Sequence, residues 1–185
     1  MYEATTVTQL FDNYSQAAAA VKDLEVSGVN ASKISVIAAN TDEEATGASS
    51  GAAVGAVAGG GAGLLAGLGA LAIPGIGPVV AAGWLAATAL GAVAGATAGG
   101  LAGALVDSGV SDEDAHFYTE GVRRGGTLVT VRCDAAEQDK VLAILHTRNP
   151  VDIDVRKQLF RSDGWSGYDD KVPPYRPLVR ERPEV

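Results

Sequence analysis

Between Ala45 and Val106 the chain runs for 62 residues without one Asp, Glu, Lys, Arg or His. The same stretch holds 17 of the 24 glycines, so it can neither carry charge into water nor fill a broad core with large side chains. Gly47, Gly51, Gly55, Gly59, Gly63 and Gly67 recur every four residues. After Ile73-Pro74-Gly75-Ile76-Gly77-Pro78 the spacing resumes with Gly83, Ala87, Gly91, Gly95, Gly99 and Gly103. Residues four apart share one face of a helix. The pattern therefore predicts two helices, each with a groove bare of side chains, joined by a tight Pro-Gly turn. A glycine in a helix interior costs about 1 kcal/mol relative to alanine, so eleven aligned glycines call for compensation. Close helix–helix approach supplies it, through dispersion and Cα–H···O contacts. These eleven glycines are the expected helix-packing and self-association positions of a glycine-zipper hairpin.

Each predicted arm of roughly 26 residues would extend ~39 Å, enough to cross a hydrocarbon layer of ~30 Å. The absence of charge, the length and the small-xxx-small spacing favour a membrane. Sparse Leu, Ile and Val, and acidic flanks at Asp42-Glu43-Glu44 and Asp107 where a cytoplasmic base would favour Lys or Arg, favour a soluble oligomer with a buried helical core. The sequence leaves both environments open. In either one the apolar faces, with Leu64, Leu65, Leu68, Leu71, Leu85 and Leu90, need a cover, and identical copies are the most available one.

All the charge lies in residues 1–44 and 107–185, so the flanks read together as one domain interrupted by residues 45–106. Thr5–Phe11 suits a strand. Asn13 with Gln16 is a capping-box signature opening a helix that Gly28 stops, and Ile34–Ala39 suits a buried strand. Ser111 with Asp114 opens a second helix ending near Gly125 and Gly126. Thr127–Asp134 alternates Val129, Val131 and Cys133 with Leu128, Thr130 and Arg132, the mark of a strand. Asp134 is placed to cap a helix carrying Val141, Ile144 and Leu145 that Pro150 ends. Val151, Ile153 and Val155 alternate with Asp152, Asp154 and Arg156 and predict a last strand. The expected fold is α+β: a ferredoxin-like split βαβ domain from residues 1–44 and 107–156, four antiparallel strands with two helices on one face. The hairpin is inserted between its second and third strands. Residues 157–185 carry Phe160, Trp165, Tyr168 and Tyr175 among Gly, Asp, Arg and four prolines. That composition predicts an extended arm whose aromatics pack on this domain or on a neighbouring subunit.

With 14 basic and 22 acidic residues, net −8 and a pI near 4.7, the chain lacks the cationic surface that non-specific nucleic-acid binding requires. One cysteine, Cys133, cannot form an internal disulfide and reads as a small core residue. Met1–Thr8 has no basic segment leading into an apolar one, so no secretory signal is expected, and the protein is expected in the cytoplasm or at the cytoplasmic membrane. Gly67-Leu68-Gly69-Ala70-Leu71-Ala72 matches G-x-G-x-x-A, but a dinucleotide site needs a strand before it and a helix after it, and here it falls within the zipper pattern. His116 and His146 lack the spacing of a zinc pair, and Asp112, Glu113 and Asp114 suit the positive end of a helix dipole. The sequence offers no nucleophile with a base and an orienting acid. No enzyme, cofactor or metal site is expected.

V-x-x-L-F-D-N-Y-S-Q-A-A-x-A-V-K-D-L at residues 7–24, the Gly/Ala segment, and G-V-S-D-E-D-A-H-F-Y-T-E-G-V-R-R-G-G-T-L-V-T-V at residues 109–131 resemble bacterial general stress proteins of the 17M-like class, some of them called low-temperature-induced. The resemblance spans about residues 5–156. It implies an intracellular bacterial protein linked to stress and brings no catalytic residues. The expected role is a non-enzymatic, homo-oligomeric stress protein that assembles through the hairpin, with membrane lipid as a further partner. The alternative is an adaptor that docks another protein through its acidic domain or C-terminal arm.

Overall fold

Alternation along the strands puts an apolar side chain on both faces of one sheet, and helices cover both. The computed structural model describes residues 4–39, 69–73, 77–85, 88, 100–167 and 169. In chain order these form β1 (Ala4–Phe11), α1 (Tyr14–Val26), a 3-10 turn (Ala31–Lys33), β2 (Ile34–Ala39), β3 (Gly69–Ile73) and β4 (Gly77–Gly83). There follow α2 (Gly100–Asp107), α3 (Asp112–Arg123), β5 (Thr127–Asp134), α4 (Gln138–His146) and α5 (Ile153–Ser162). The class is α+β. The strands make one five-stranded antiparallel sheet in the order β1-β5-β2-β4-β3.

Val7, Phe11, Ile34, Val36, Val129, Val131 and Cys133 face α1 and α4, where Val21, Leu24, Val141 and Leu145 complete a buried cluster. Leu10, Ile37, Val79, Ala81 and Leu128 face the other way, against Leu101 and Leu105 of α2, Phe117 and Val122 of α3, and Phe160 of α5. Helices on both faces replace the expected two helices on one face. β2 is buried at all six positions, as a strand covered on both sides and flanked by two neighbours must be.

Several local signals act as the sequence predicts. Asn13 accepts a hydrogen bond from the Gln16 amide at 2.9 Å, although the Gln16 side chain does not close the reciprocal half of the capping box. Gly28, at φ +92°, turns the chain out of α1. The Ser111 hydroxyl caps α3, accepting from the Asp114 amide at 3.2 Å and donating to the Asp114 carboxylate at 2.7 Å.

Three expectations are corrected. Residues 69–73 and 77–83 do not continue a zipper: they form the paired strands β3 and β4, and Gly83 closes a strand rather than lining a helix groove. Val79 and Val80, just past the expected turn, and Ile73 at its start are β-branched and prefer strands. The reversal falls where the Pro-Gly turn was expected, between paired Ile73 and Gly77, but it joins strands. Residues 153–162 are a helix, which takes up the later part of the strand expected over 151–156 and the start of the expected arm. Asp152 caps it by accepting from the Val155 amide at 3.0 Å, and the helical turn brings Phe160 into the core. Asp134 ends β5 instead of capping α4, whose first residue follows a turn and whose preceding residue, Glu137, makes no side-chain cap.

The expected domain limits accordingly cut through elements. β4 of the charge-free segment pairs with β2, α2 spans the 106/107 boundary, and α5 spans the 156/157 boundary.

Candidate interaction surfaces

The charge-free segment enters the sheet through β4, which lies against β2 from Ser35↔Gly83 to Ala39↔Val79. Gly83 is required there: at φ +92°, a Cβ would fall within 3 Å of the Ile34 carbonyl oxygen and the Ser35 Cα. The chain then turns so that the Trp84 indole N–H donates to the Lys33 carbonyl at 3.2 Å, and the Arg132 guanidinium stacks 3.5 Å over the indole ring. β3 adds to the outer side of β4, from Gly69↔Ala81 to Ile73↔Gly77, and is the last strand on that side among the described residues. Its sequence is Gly-Ala-Leu-Ala-Ile, with no charge and no proline.

At the opposite margin β1 is tied down by three segments. The Thr6 hydroxyl donates to the Ser108 carbonyl at 2.7 Å, the Tyr118 hydroxyl donates to the Thr8 carbonyl at 3.0 Å, and the Val151 amide donates to the Leu10 carbonyl at 2.7 Å. Gly121 lets α3 lie close to this strand, because a Cβ there would collide with the Leu10 side chain. Burial, and then the nearby Asp114 charge, push the Tyr118 phenol far above its ordinary range, so it remains a hydrogen-bond donor.

α5 is fastened to α3 by charge and by aromatic packing. Lys157 bridges Glu113 at 3.2 Å and Asp114 at 2.6 Å, and Arg161 meets Glu113 at 2.9 Å. Burial opposes ionisation of Asp114, but hydrogen bonds from Lys157 and Ser111 outweigh it and hold the carboxyl below its usual range. The buried Glu120 carboxylate takes two hydrogen bonds from Arg123 and one from Arg124, all at 2.7 Å. Arg124 continues to Asp163 at 2.8 Å and covers the Phe160 ring at 4.2 Å. The Glu120 network was not foreseen; the spacing of Glu120, Arg123 and Arg124 could have suggested it.

Of the expected arm contacts, Phe160 and Trp165 pack on their own domain. Phe160 is 4% exposed, with ring centres 5.6 Å from Phe117 and 6.0 Å from Trp165. Tyr168 and Tyr175 lie outside the described residues. Of the expected zipper positions, Gly47, Gly51, Gly55, Gly59, Gly63, Gly67, Gly91, Gly95 and Gly99 also lie outside them. Gly103 is in α2, where an added Cβ would meet nothing within 4 Å among the described residues.

Between the start of α3 and the end of α5, Asp112, Glu113, His116, Arg161, Trp165, Ser166 and Gly167 border an open cleft of about 260 Å³. Its charges are mixed and Glu113 already neutralises Arg161. Cys133 is buried, which pushes its thiol up and keeps it protonated. Among the described residues no group of three or more His, Cys, Asp or Glu is placed to hold a metal ion, and no helix is long and apolar enough to cross a membrane. Comparison with protein-family models, with curated proteins and with solved structures finds no match for the chain.

Proposed function

We propose that this is a non-enzymatic, stress-associated protein that assembles with its own kind through the charge-free segment. The stress setting rests on the sequence resemblance. The observation that carries the assembly is the position of that segment in the sheet. It supplies β4 and the marginal strand β3, whose five residues hold no charge and no proline. Natural sheets usually blunt such a strand with charges, proline or a cover, because its unpaired N–H and C=O groups recruit other strands. The competing role is an adaptor that docks another protein through its acidic domain or C-terminal arm; of the arm's aromatics, Phe160 and Trp165 pack inside their own domain, which leaves them less available to a partner.

The test is sedimentation of the full chain without detergent, across a dilution series and at two salt concentrations. Multimers are expected, and added salt should strengthen them by screening the repulsion between copies of net charge −8. A monomer at every concentration would overturn the reading.

A further inference from the structure

We infer that two copies join by antiparallel pairing of β3 with β3, extending the five-stranded sheet across a two-fold axis into one of ten strands. This rests on the proposed self-assembly and names its route. Every strand pairing in the sheet is already antiparallel, so the added pair continues the existing pattern. The sheet has two margins. β1 is held by Ser108, Tyr118 and Val151, whereas no described strand pairs with β3 beyond β4.

Charge selects the occupant. Each copy carries −8, with all charged residues in 1–44 and 107–185, so most approaches bring like charges together. The β3 margin is neutral, and a neutral strand has no charge to attract an acidic or basic partner. An identical neutral strand meets it without repulsion, and an isologous contact closes on itself. Centring the axis on Leu71 sets Leu71 against Leu71, Ala70 against Ala72 and Gly69 against Ile73 of the second copy.

The experiment compares wild type with Ala70→Lys/Ala72→Lys and with Leu71→Cys, using the full chain. In the proposed register the lysines stand directly opposite lysines, which disfavours a cross-strand pair. The double variant should keep a wild-type circular dichroism spectrum and a cooperative melt while losing the dimer in sedimentation. Oxidised Leu71→Cys should run as a covalent dimer, while wild type, whose single thiol at Cys133 is buried, should not. A folded lysine variant that keeps its mass would overturn the inference. Should the lysine variant fail to fold, the cysteine decides: no covalent dimer from Leu71→Cys, nor from Ala70→Cys or Ala72→Cys in a neighbouring register, overturns it as well. An oligomeric wild type with these negative results defeats only the β3 route. A monomeric wild type defeats the route and the proposed function together.

Discussion

At one margin of the sheet β1 hands the carbonyls of Thr8 and Leu10 to donors from α3 and from the segment before α5. At the other margin β3 meets no described strand beyond β4. The difference follows from what each side has to spend. The β1 side is built by the charged flanks, which supply a tyrosine, buried aromatics and ion pairs. The β3 side is built by Gly, Ala, Leu and Ile, which have no side-chain donors, so nothing in that stretch can cap a backbone group or repel a second strand. One margin of the sheet is thus tied down in part by side chains, while the β3 sequence offers no side-chain donor that could do the same.

The comparison is most exposed at Phe160. If α5 secures the β1 side, truncating its buried anchor should be costly: Phe160→Ala is expected to destabilise by about 3–5 kcal/mol in urea unfolding. Leu159→Ala, one residue away but 54% exposed, should fall within about 0.5 kcal/mol. Similar losses from the two would mean that α5 does not secure this margin.

Tyr118 carries the next largest effect. Tyr118→Phe keeps the ring, which is 5.4 Å from Phe117, and deletes only the donor to the Thr8 carbonyl. A buried acceptor left without its partner costs about 1–3 kcal/mol. Amide exchange should show the loss first in β1, with the β3–β4 hairpin unchanged. Equal loosening of both margins would remove the distinction between them.

How far this asymmetry could be read from the residues depends on the element. β5 was legible at both ends, because Val129, Val131 and Cys133 recur at every second position and its neighbours are glycine and a turn. The caps at Asn13 and Ser111 were legible because each is a local geometry. Residues 151–156 were misread because Val-Asp-Ile-Asp-Val has strand periodicity, while Asp152 is also a helix cap. Tertiary packing of Phe160, nine residues beyond Val151, favours the helix. The Val151 amide still makes one bond to β1 where the expected strand would have begun. In the charge-free segment the four-residue glycine period masked the strand preferences of Ile73, Val79 and Val80. The whole segment was therefore read as helical, and β3 and β4 were not foreseen.

Acid offers a smaller, directional test. Asp114 is held below its usual carboxyl range by Lys157 and Ser111 despite burial, and Asp23 is lowered first by its hydrogen bond from Arg148. A lowered folded-state pKa means that the unfolded chain binds more protons in the window between the two values. These groups therefore contribute stability that is full above the unfolded carboxyl range, near pH 4, and is lost as pH falls through their lower folded values. Since Asp114 binds α3 to α5, acidification should raise amide exchange there, whereas β3 and β4 contain no titratable side chain. Asp114→Asn should flatten the acid limb of the stability curve. An unchanged limb would show that the Lys157 pair contributes nothing measurable.

The smallest expected effect separates the two polar groups of a single residue. Thr8 offers its carbonyl to Tyr118, but among the described residues its own buried hydroxyl has no partner, and the hydroxyl of Thr130, its cross-strand neighbour, has none either. If the β1 margin is held through the backbone, Thr8→Val leaves the tie intact and removes only an unsatisfied group. Valine nearly matches threonine in shape and suits a strand at least as well. The exchange should be neutral or stabilise by up to about 1 kcal/mol, a small rise in Tm, because a buried hydroxyl without a partner forfeits its hydration for nothing. The double variant Thr8→Val/Tyr118→Phe should then lose what Tyr118→Phe loses, less whatever Thr8→Val gains, and because the two residues touch, any departure from that sum measures their coupling. Destabilisation by Thr8→Val of more than about 1 kcal/mol would instead show that its hydroxyl, bridged by water to Thr130, helps to hold the margin.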